Sequence, residues 1–513
     1  MKKLLTLILA VSFLLGAAIG AIAQEDVQSE PARFVVRSNS NKENKTENDK
    51  IKALIEEKSG IDFEVIVVAE NSWAEKINVM IAGSEKFDTL NLTANGNNWS
   101  TYASNNAIVP YTQEMLDNYL PDVMAMIPEE AWIPCTDKEG NIWALPRHES
   151  FTAGGVPSIR TDWLENLGME MPTTLEELEA YFEGVKTQDV NGNGDPNDEY
   201  GYIPYFQSLF NGPLHVYYLG THGGCDEKDH YLSEDGTVMP WYMHPNAWAL
   251  VSKGAQWYQN GYINQDYLTM TNETANDMGA LDRIGMCSGW YNMGLQGTER
   301  LVEANPDSTC AWAAIPNFTD SPGGINAWGG NAEYNGEVAL SATSTDPQWA
   351  LKLLNWIYES EENYMLATYG IEGDHWILSE DGKTFTQPDG ATDRYMLEYQ
   401  LLEWYDYSKY PEPYVGKDTS TWRAYTAWEM RNQIDAGIQT IPRFDYYVPY
   451  DLNGTEAEFL TNDAQTLIQE AMEKALVGNL TEEEWNTVVQ TAWDIDGQIR
   501  SAVWTEQYHN FVN

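Results

Sequence analysis

Apolar residues along this chain alternate between two spacings. Residues 31–37 hold a short apolar run, Phe34-Val35-Val36, aromatic then β-branched, which predicts a strand. Ile51, Leu54 and Ile55 then recur at helical spacing up to Gly60. Ile61 to Val68 is apolar and β-branched enough for a buried strand, and Trp73 to Ile81 returns to helical spacing before Ala82-Gly83. Strand, helix, strand, helix predicts an α/β lobe with a largely parallel sheet. Further on, Thr174 and Glu177 form a capping box ahead of an inward stripe of Leu175, Leu178 and Phe182. Tyr200 to Pro204 reads as a return strand. Asp346-Pro347 starts another helix, with Ala350, Leu353, Leu354 and Ile357 on its buried side. Thr481 and Glu484 spell a second capping box ahead of Val488, Val489, Ala492, Ile495 and Ile499. The second half is therefore the more helical one.

A chain of 513 residues exceeds what one core holds, so two or more domains are expected. No Pro/Gly-rich linker separates them. Apolar strand ends followed by turns near Leu145–His148 and Ala314–Asn317 are candidate crossings, and lobes joined by several crossings suit a hinged molecule. The first 23 residues read as a signal peptide: Lys2 and Lys3, an apolar run from Leu4 to Ile22, then Ala21-Ile-Ala23. A retained membrane anchor is the alternative. No Cys lies near the cut, so a lipid anchor on the mature N-terminus has no attachment point. Past the signal no segment reaches eighteen uninterrupted apolar residues.

The net charge of −49 becomes −51 without the signal's two lysines, 27 basic against 78 acidic residues. That field disfavours nucleic acid and anionic lipid, and favours a divalent cation. Cys135, Cys225, Cys287 and Cys310 are widely and irregularly spaced, which leaves both disulfides and isolated buried thiols open.

The run Asp189-Val-Asn191-Gly-Asn193-Gly194-Asp195-Pro-Asn197-Asp198-Glu199 places oxygen-bearing side chains at alternate positions among turn-formers. A short loop wraps a hard cation in this way, and carboxylate, amide and carbonyl oxygens suit calcium. Tyr200 stands where an EF-hand carries glutamate, so the loop is not an EF-hand. An Asn/Gly/Asp turn without metal is the alternative. His222, Cys225, Asp226 and His230 permit a zinc site only loosely, and nothing in their spacing demands one.

Five segments in order resemble the extracellular solute-binding proteins of bacterial ABC importers, in particular the oligosaccharide-binding type that includes alginate-binding and LplA-like lipoproteins. They are Met80–Asp88, Asp137–Pro146, Arg160–Gly168 followed by Pro172-Thr-Thr, Ile284-Gly-Met-Cys-Ser-Gly-Trp290 and Tyr369-Gly-Ile-Glu-Gly-Asp-His-Trp376. The resemblance implies an α/β, two-lobe periplasmic-binding-protein-like fold with an interlobe ligand cleft and three hinge crossings. On this chain the N-terminal lobe would use 30–148 and 318–378, and the C-terminal lobe 149–317 and 379–513. It implies capture by lobe closure, delivery to the transmembrane subunits of an ABC permease and no bond breaking. It also implies a structural calcium, with Asp189, Asn191, Asn193, Asp195 through its carbonyl, Asn197 and Asp198 as ligands. Asn197 and Asp198 depart from the longer carboxylates of the alginate-binding relatives.

Sugar rings present apolar faces to aromatics and hydroxyls to amides and charges. Of twenty tryptophans, Trp99, Trp241, Trp290, Trp328, Trp376 and Trp422 sit in turns or at the ends of these segments. Trp290 is the leading candidate, because the resemblance puts a cleft aromatic there. Arg147 follows the first hinge strand, with Asn97, Asn98 and Glu149 as weaker polar candidates. The scarcity of basic residues favours a neutral oligosaccharide over a uronate. The expected protein is a monomer without catalytic residues, exported and held outside or at the cell surface. A peptide binder of the same fold and a secreted glycoside hydrolase with paired carboxylates are the competing readings.

Overall fold

The structure is a computed structural model. It describes residues 27–512, apart from 39–44, 70–71, 93–98, 128, 138, 150–155, 206–208, 211, 221–229, 290, 323–334, 381–384, 389–403, 406–413, 416–419, 438–451 and 453–454. Among the described residues, eleven strands carry the two main sheets. In chain order they are β1 (Ala32–Ser38), β2 (Phe63–Ala69), β3 (Thr89–Asn91), β4 (Ile108–Val109), β5 (Ala144–Glu149), β6 (Ser158–Arg160), β7 (Ile203–Pro204), β8 (Met286–Ser288), β9 (Trp312–Ala314), β10 (Asn335–Ser341) and β11 (Trp404–Tyr405).

The first sheet has the order β11-β5-β10-β3-β1-β2, with β4 added on β10. Its strands bury both faces. Phe34 and Val36 enter one core with Ile55, Phe63 and Leu354, while Val35 enters the other with Trp73, Ile77 and Leu90. The short apolar run at 34–36 is thus a central strand between two helical layers. The helices Lys45–Ser59 and Gln348–Glu359 supply Ile55 and Leu354, and Trp73–Ala82 supplies Trp73 and Ile77.

The sheet is less parallel than expected. β1 is parallel to β2 and β3, but β10 runs antiparallel to β3, β4 and β5. A strand that returns after the whole second sheet's worth of chain has no short crossover helix to fix its direction. The sequence around β10 carries no sign of this.

The second sheet has the order β9-β6-β8-β7. β6 is antiparallel to both β8 and β9, whereas β7 is parallel to β8. On β8, Met286 faces the core of Trp163, Phe182, Tyr202 and Trp257, and Cys287 faces that of Ile203, Leu295 and Trp312. The helix Leu175–Thr187 buries Leu175, Leu178 and Phe182 as its stripe predicts. Phe182 stacks on Tyr202 with ring centroids 6.2 Å apart and meets Trp257 edge-on at 5.1 Å. Thr174 caps the helix through Glu177 N–H, but Glu177 reaches back to Thr173 rather than to the cap residue. At Thr481 the full capping box forms.

Two boundary residues bear on the division of the chain. Phe318, where the N-terminal lobe was expected to resume, packs in the second core beside Tyr217. Phe385, beyond the expected end at 378, packs in the first core against Tyr369 and Trp376. Cys135, Cys287 and Cys310 are buried; Cys225, His222 and Asp226 lie outside the described residues, and His230 packs edge-on against Trp504. The signal segment 1–23 also lies outside them. No helix among the described residues is long and apolar enough to cross a membrane.

Candidate functional site

The oxygen-rich loop follows the helix Leu175–Thr187 and is folded by its own side chains. Asn191 Oδ1 accepts from Asn193 N–H at 2.9 Å, Asn193 Oδ1 from Asp195 N–H at 2.7 Å, and Asp195 Oδ1 from Asn197 N–H at 3.2 Å. Asp189 Oδ2 accepts from Gly194 N–H at 2.9 Å. Gly192 and Gly194 take φ of 71° and 94°, which an L side chain strains to adopt and which lets the chain wrap so tightly. Glu199, at the end of the run, was not among the expected ligands. It is 5% exposed, and one carboxylate oxygen accepts from Val190 and Asn191 N–H at 3.1 and 3.3 Å. The other, Oε2, is buried with no hydrogen-bond partner. Burial holds this carboxyl above its usual range, and repulsion from Asp198 and Asp189 adds to the shift.

These features fit a hard cation: the donors are all oxygen, and a buried carboxylate oxygen lacks a partner. Among the described residues, however, no three His, Cys, Asp or Glu side chains converge as a metal-binding group. The loop's carboxylates are instead turned to backbone N–H groups, to Asn193 Nδ2 and to Arg283.

The other candidate region is the carboxyl edge of the sheets. β3, β5, β7 and β8 end at Asn91, Glu149, Pro204 and Ser288, within two residues of 93–98, 150–155, 206–208 and 290. Open α/β sheets bind ligands beyond the carboxyl ends of their strands. Two polar groups missed in the sequence lie on β3: Thr89 Oγ1 and Asn91 Oδ1 are buried without a hydrogen-bond partner. Tyr202 O–H and Ser288 O–H are hydrogen-bonded where β7 and β8 meet.

Comparison with known proteins assigns this architecture. No family model matches the chain. Lipoprotein LipO of Bacillus subtilis is 24% identical over 377 residues, 72% of this chain and 72% of LipO. The polygalacturonan/rhamnogalacturonan-binding protein YtcQ of Bacillus subtilis is 22% identical over 363 residues, 70% of this chain and 68% of YtcQ. An HMO-binding, ABC-transporter-associated solute-binding protein from Bifidobacterium longum infantis superposes with a TM-score of 0.68 at 20% identity, covering 94% of this chain and 100% of that one. The chain is thus similar in sequence to LipO and YtcQ and shares its fold with solute-binding proteins of ABC importers. Two further solved structures share the fold at a TM-score of 0.61 and 16% identity, each over 94% of this chain and 99% of the other. One is an EF-hand mutant of the Streptococcus pneumoniae substrate-binding protein FusA in complex with fructo-nystose, and the other is the alginate-binding protein AlgQ2 without calcium ion.

The expected ligand-facing residues fall in different surroundings. Trp290 and Trp328 lie outside the described residues, as do Asn97 and Asn98. Arg147 is described by its backbone alone, on β5 opposite Asn335. Trp241 is a correction: it is 1% exposed and packs among Tyr242 and Trp485, so its ring faces belong to the second core. Its position after Pro240 looked like a turn in the sequence, but the turn is covered by the helix Glu482–Ala492, which carries Trp485. Trp99 starts the helix Trp99–Ser104 and is largely buried, stacked parallel to Trp143 at 6.0 Å. Trp422 is half-buried on the helix Thr421–Gly437, against the second sheet's outer core.

Trp376 is half-buried and held by an ordered turn. Its indole N–H donates to Gly370 O at 3.0 Å. Beside it, fully buried His375 accepts the Ile371 N–H on Nδ1 at 2.9 Å, so Nε2 carries the proton toward Glu47 at 2.9 Å. A hydrogen bond from Lys50, followed by the one from His375, holds Glu47 below its usual range.

Proposed function

We propose that this protein captures a neutral oligosaccharide between its two lobes and delivers it to the transmembrane subunits of an ABC permease. The observation that carries the sugar reading is the fold shared over nearly the whole chain with an HMO-binding and a fructo-nystose-bound protein, joined to sequence relationship with YtcQ, whose polygalacturonan is a polyuronate; the choice of a neutral sugar rests on charge alone. The net charge of −49 favours a ligand without carboxylates. The lobes are taken as expected from the sequence, 30–148 with 318–378 and 149–317 with 379–513, except that Phe318 joins the second core and the third crossing follows β11 rather than residue 378, since Phe385 packs in the first core and Trp404–Tyr405 pairs with β5. In this reading Trp99, Trp290, Trp328, Trp376 and Trp422 supply ring contacts, and Arg147 bonds hydroxyls. Residues 1–23 direct export and are removed, and the mature monomer works outside the cell or at its surface. It breaks no bond in its ligand.

Calorimetry with neutral gluco-, manno-, xylo- and fructo-oligosaccharides, beside oligouronates and peptides, tests this. Saturable binding of a neutral glycan is expected. Binding of peptides alone defeats the sugar reading, preference for oligouronates defeats the charge argument, and shortened products after incubation defeat the binding-only reading.

The loop at 189–199 holds a structural calcium in this reading. Asp189, Asn191, Asn193, Asn197 and Asp198 offer side-chain oxygens, Asp195 its carbonyl, and Glu199 the buried oxygen that lacks a partner. Bound there, the ion neutralises crowded carboxylates and ties the exit of the helix Leu175–Thr187 to Tyr200, whose N–H donates to Arg283 O at 3.0 Å.

A further inference from the structure

The turn Asp282-Arg283 grips the oxygen-rich loop by two independent means. The first is backbone: Asp282 O accepts from Asn191 Nδ2 at 2.9 Å, and Arg283 O accepts from Tyr200 N–H at 3.0 Å. Asp282 sits in the left-handed region at φ 59°, and its carboxylate is held by buried Arg160 at 2.5 Å. That anchoring does not use the Arg283 side chain. The second grip is charge: Arg283 Nη2 lies 3.0 Å from Asp198 Oδ2. Asp198 is one of the carboxylates the metal reading needs. The pairing is a single contact rather than a two-pronged fork, and Arg283 Nε is buried without any hydrogen-bond partner.

We propose that Arg283 is a resident counter-cation of this loop. Its guanidinium neutralises Asp198 when no ion is bound, and a divalent cation must displace it or bind against its charge. The inference rests on the calcium reading above. It accounts for a loop that closes on itself with carboxylates turned toward Arg283 and N–H groups, while Glu199 Oε2 stays unpaired. A neighbouring positive charge at this partly exposed site should weaken calcium on the order of three- to tenfold after solvent screening.

The test uses full-length mature protein stripped with chelator, titrated with calcium chloride by calorimetry and melted with and without calcium. Arg283→Met removes the charge and keeps the backbone grip; Arg283→Lys keeps the charge. The expected result is several-fold tighter calcium binding in Arg283→Met, near wild-type binding in Arg283→Lys, and a larger calcium-induced rise in Tm for Arg283→Met. Arg283→Met that folds only with calcium is the extreme of that result, as is calcium binding by Arg283→Met where the wild type binds none. Equal or weaker binding by Arg283→Met, with wild type binding normally, overturns the counter-cation and leaves the calcium reading intact. No calcium binding by wild type or either variant overturns both.

Discussion

Replacing Arg160 with leucine should destabilise the second core more than any surface change. The guanidinium is 1% exposed. Nε and Nη2 form a fork on Asp162 at 2.8 and 2.6 Å, and Nη1 reaches Asp282 at 2.5 Å. The same group lies over the Trp163 ring, 4.7 Å from its centroid. Leucine would leave two carboxylates without their counter-charge. Asp282 is about a quarter exposed and can be solvated, whereas Asp162 at 10% cannot, so most of the penalty falls on Asp162. Removing one partner of such a buried pair costs about 3–5 kcal/mol. In a lobe of this size that lowers the melting transition by roughly 10 °C. Differential scanning calorimetry reads it, and the double variant Arg160→Leu/Asp162→Leu should recover most of the loss, because both charges then leave the interior. A single-variant loss below about 1 kcal/mol, or a double variant no better than the single one, would refute the reasoning.

Gly297 lies in the helix Met293–Ala304 where it crosses Asn272–Ala280, and a Cβ there would stand 2.4 Å from Asn276 O. Gly297→Ala should therefore lose about 2 kcal/mol in urea unfolding, despite alanine's advantage of about 1 kcal/mol in a helix; a stabilised variant would show that the helices can part. Glu199 binds its proton more tightly folded than unfolded, so its contribution to stability is greatest in acid and declines as pH rises above the ordinary glutamate range. In chelator, Glu199→Gln should flatten that decline and match or exceed wild-type Tm at pH 7, yet gain less from calcium; a variant less stable at pH 7 and equally calcium-responsive would contradict both expectations. Burial pushes the Cys287 thiol up to about 11 and the Cys310 thiol to about 12, and Cys135 is buried as well. Mass spectrometry after exposure to a thiol reagent at pH 8 should find these three unmodified in folded protein and modified in urea; rapid native-state labelling would speak against their burial.

Much of the local structure was readable because its causes are local. Thr481 and Glu484 satisfy the first N–H groups of one helix from within four residues, and Leu175, Leu178 and Phe182 repeat at helical spacing whatever covers them. The alternating acids and amides of 189–199 likewise announced a self-wrapping loop. Trp241 shows the limit: a tryptophan after a turn reads the same whether solvent, ligand or another helix covers it, and here Trp485 does so from more than two hundred residues away. The sequence could not reveal that Glu199 keeps an unpartnered oxygen, since its surroundings are set by Asp198, Asp189 and the backbone at 190–191 together.

By itself, then, the order of residues determined the α/β elements, their caps, the acidic field and the chemistry of the loop, all of which depend on neighbours within one or two turns. Tertiary structure alone decided that β10 returns antiparallel into the first sheet, that Arg160 gathers Asp162 and Asp282, and that Arg283 meets Asp198. Those contacts join residues up to some 250 positions apart along the chain, as β3 and β10 are, and burial rather than local propensity fixes them.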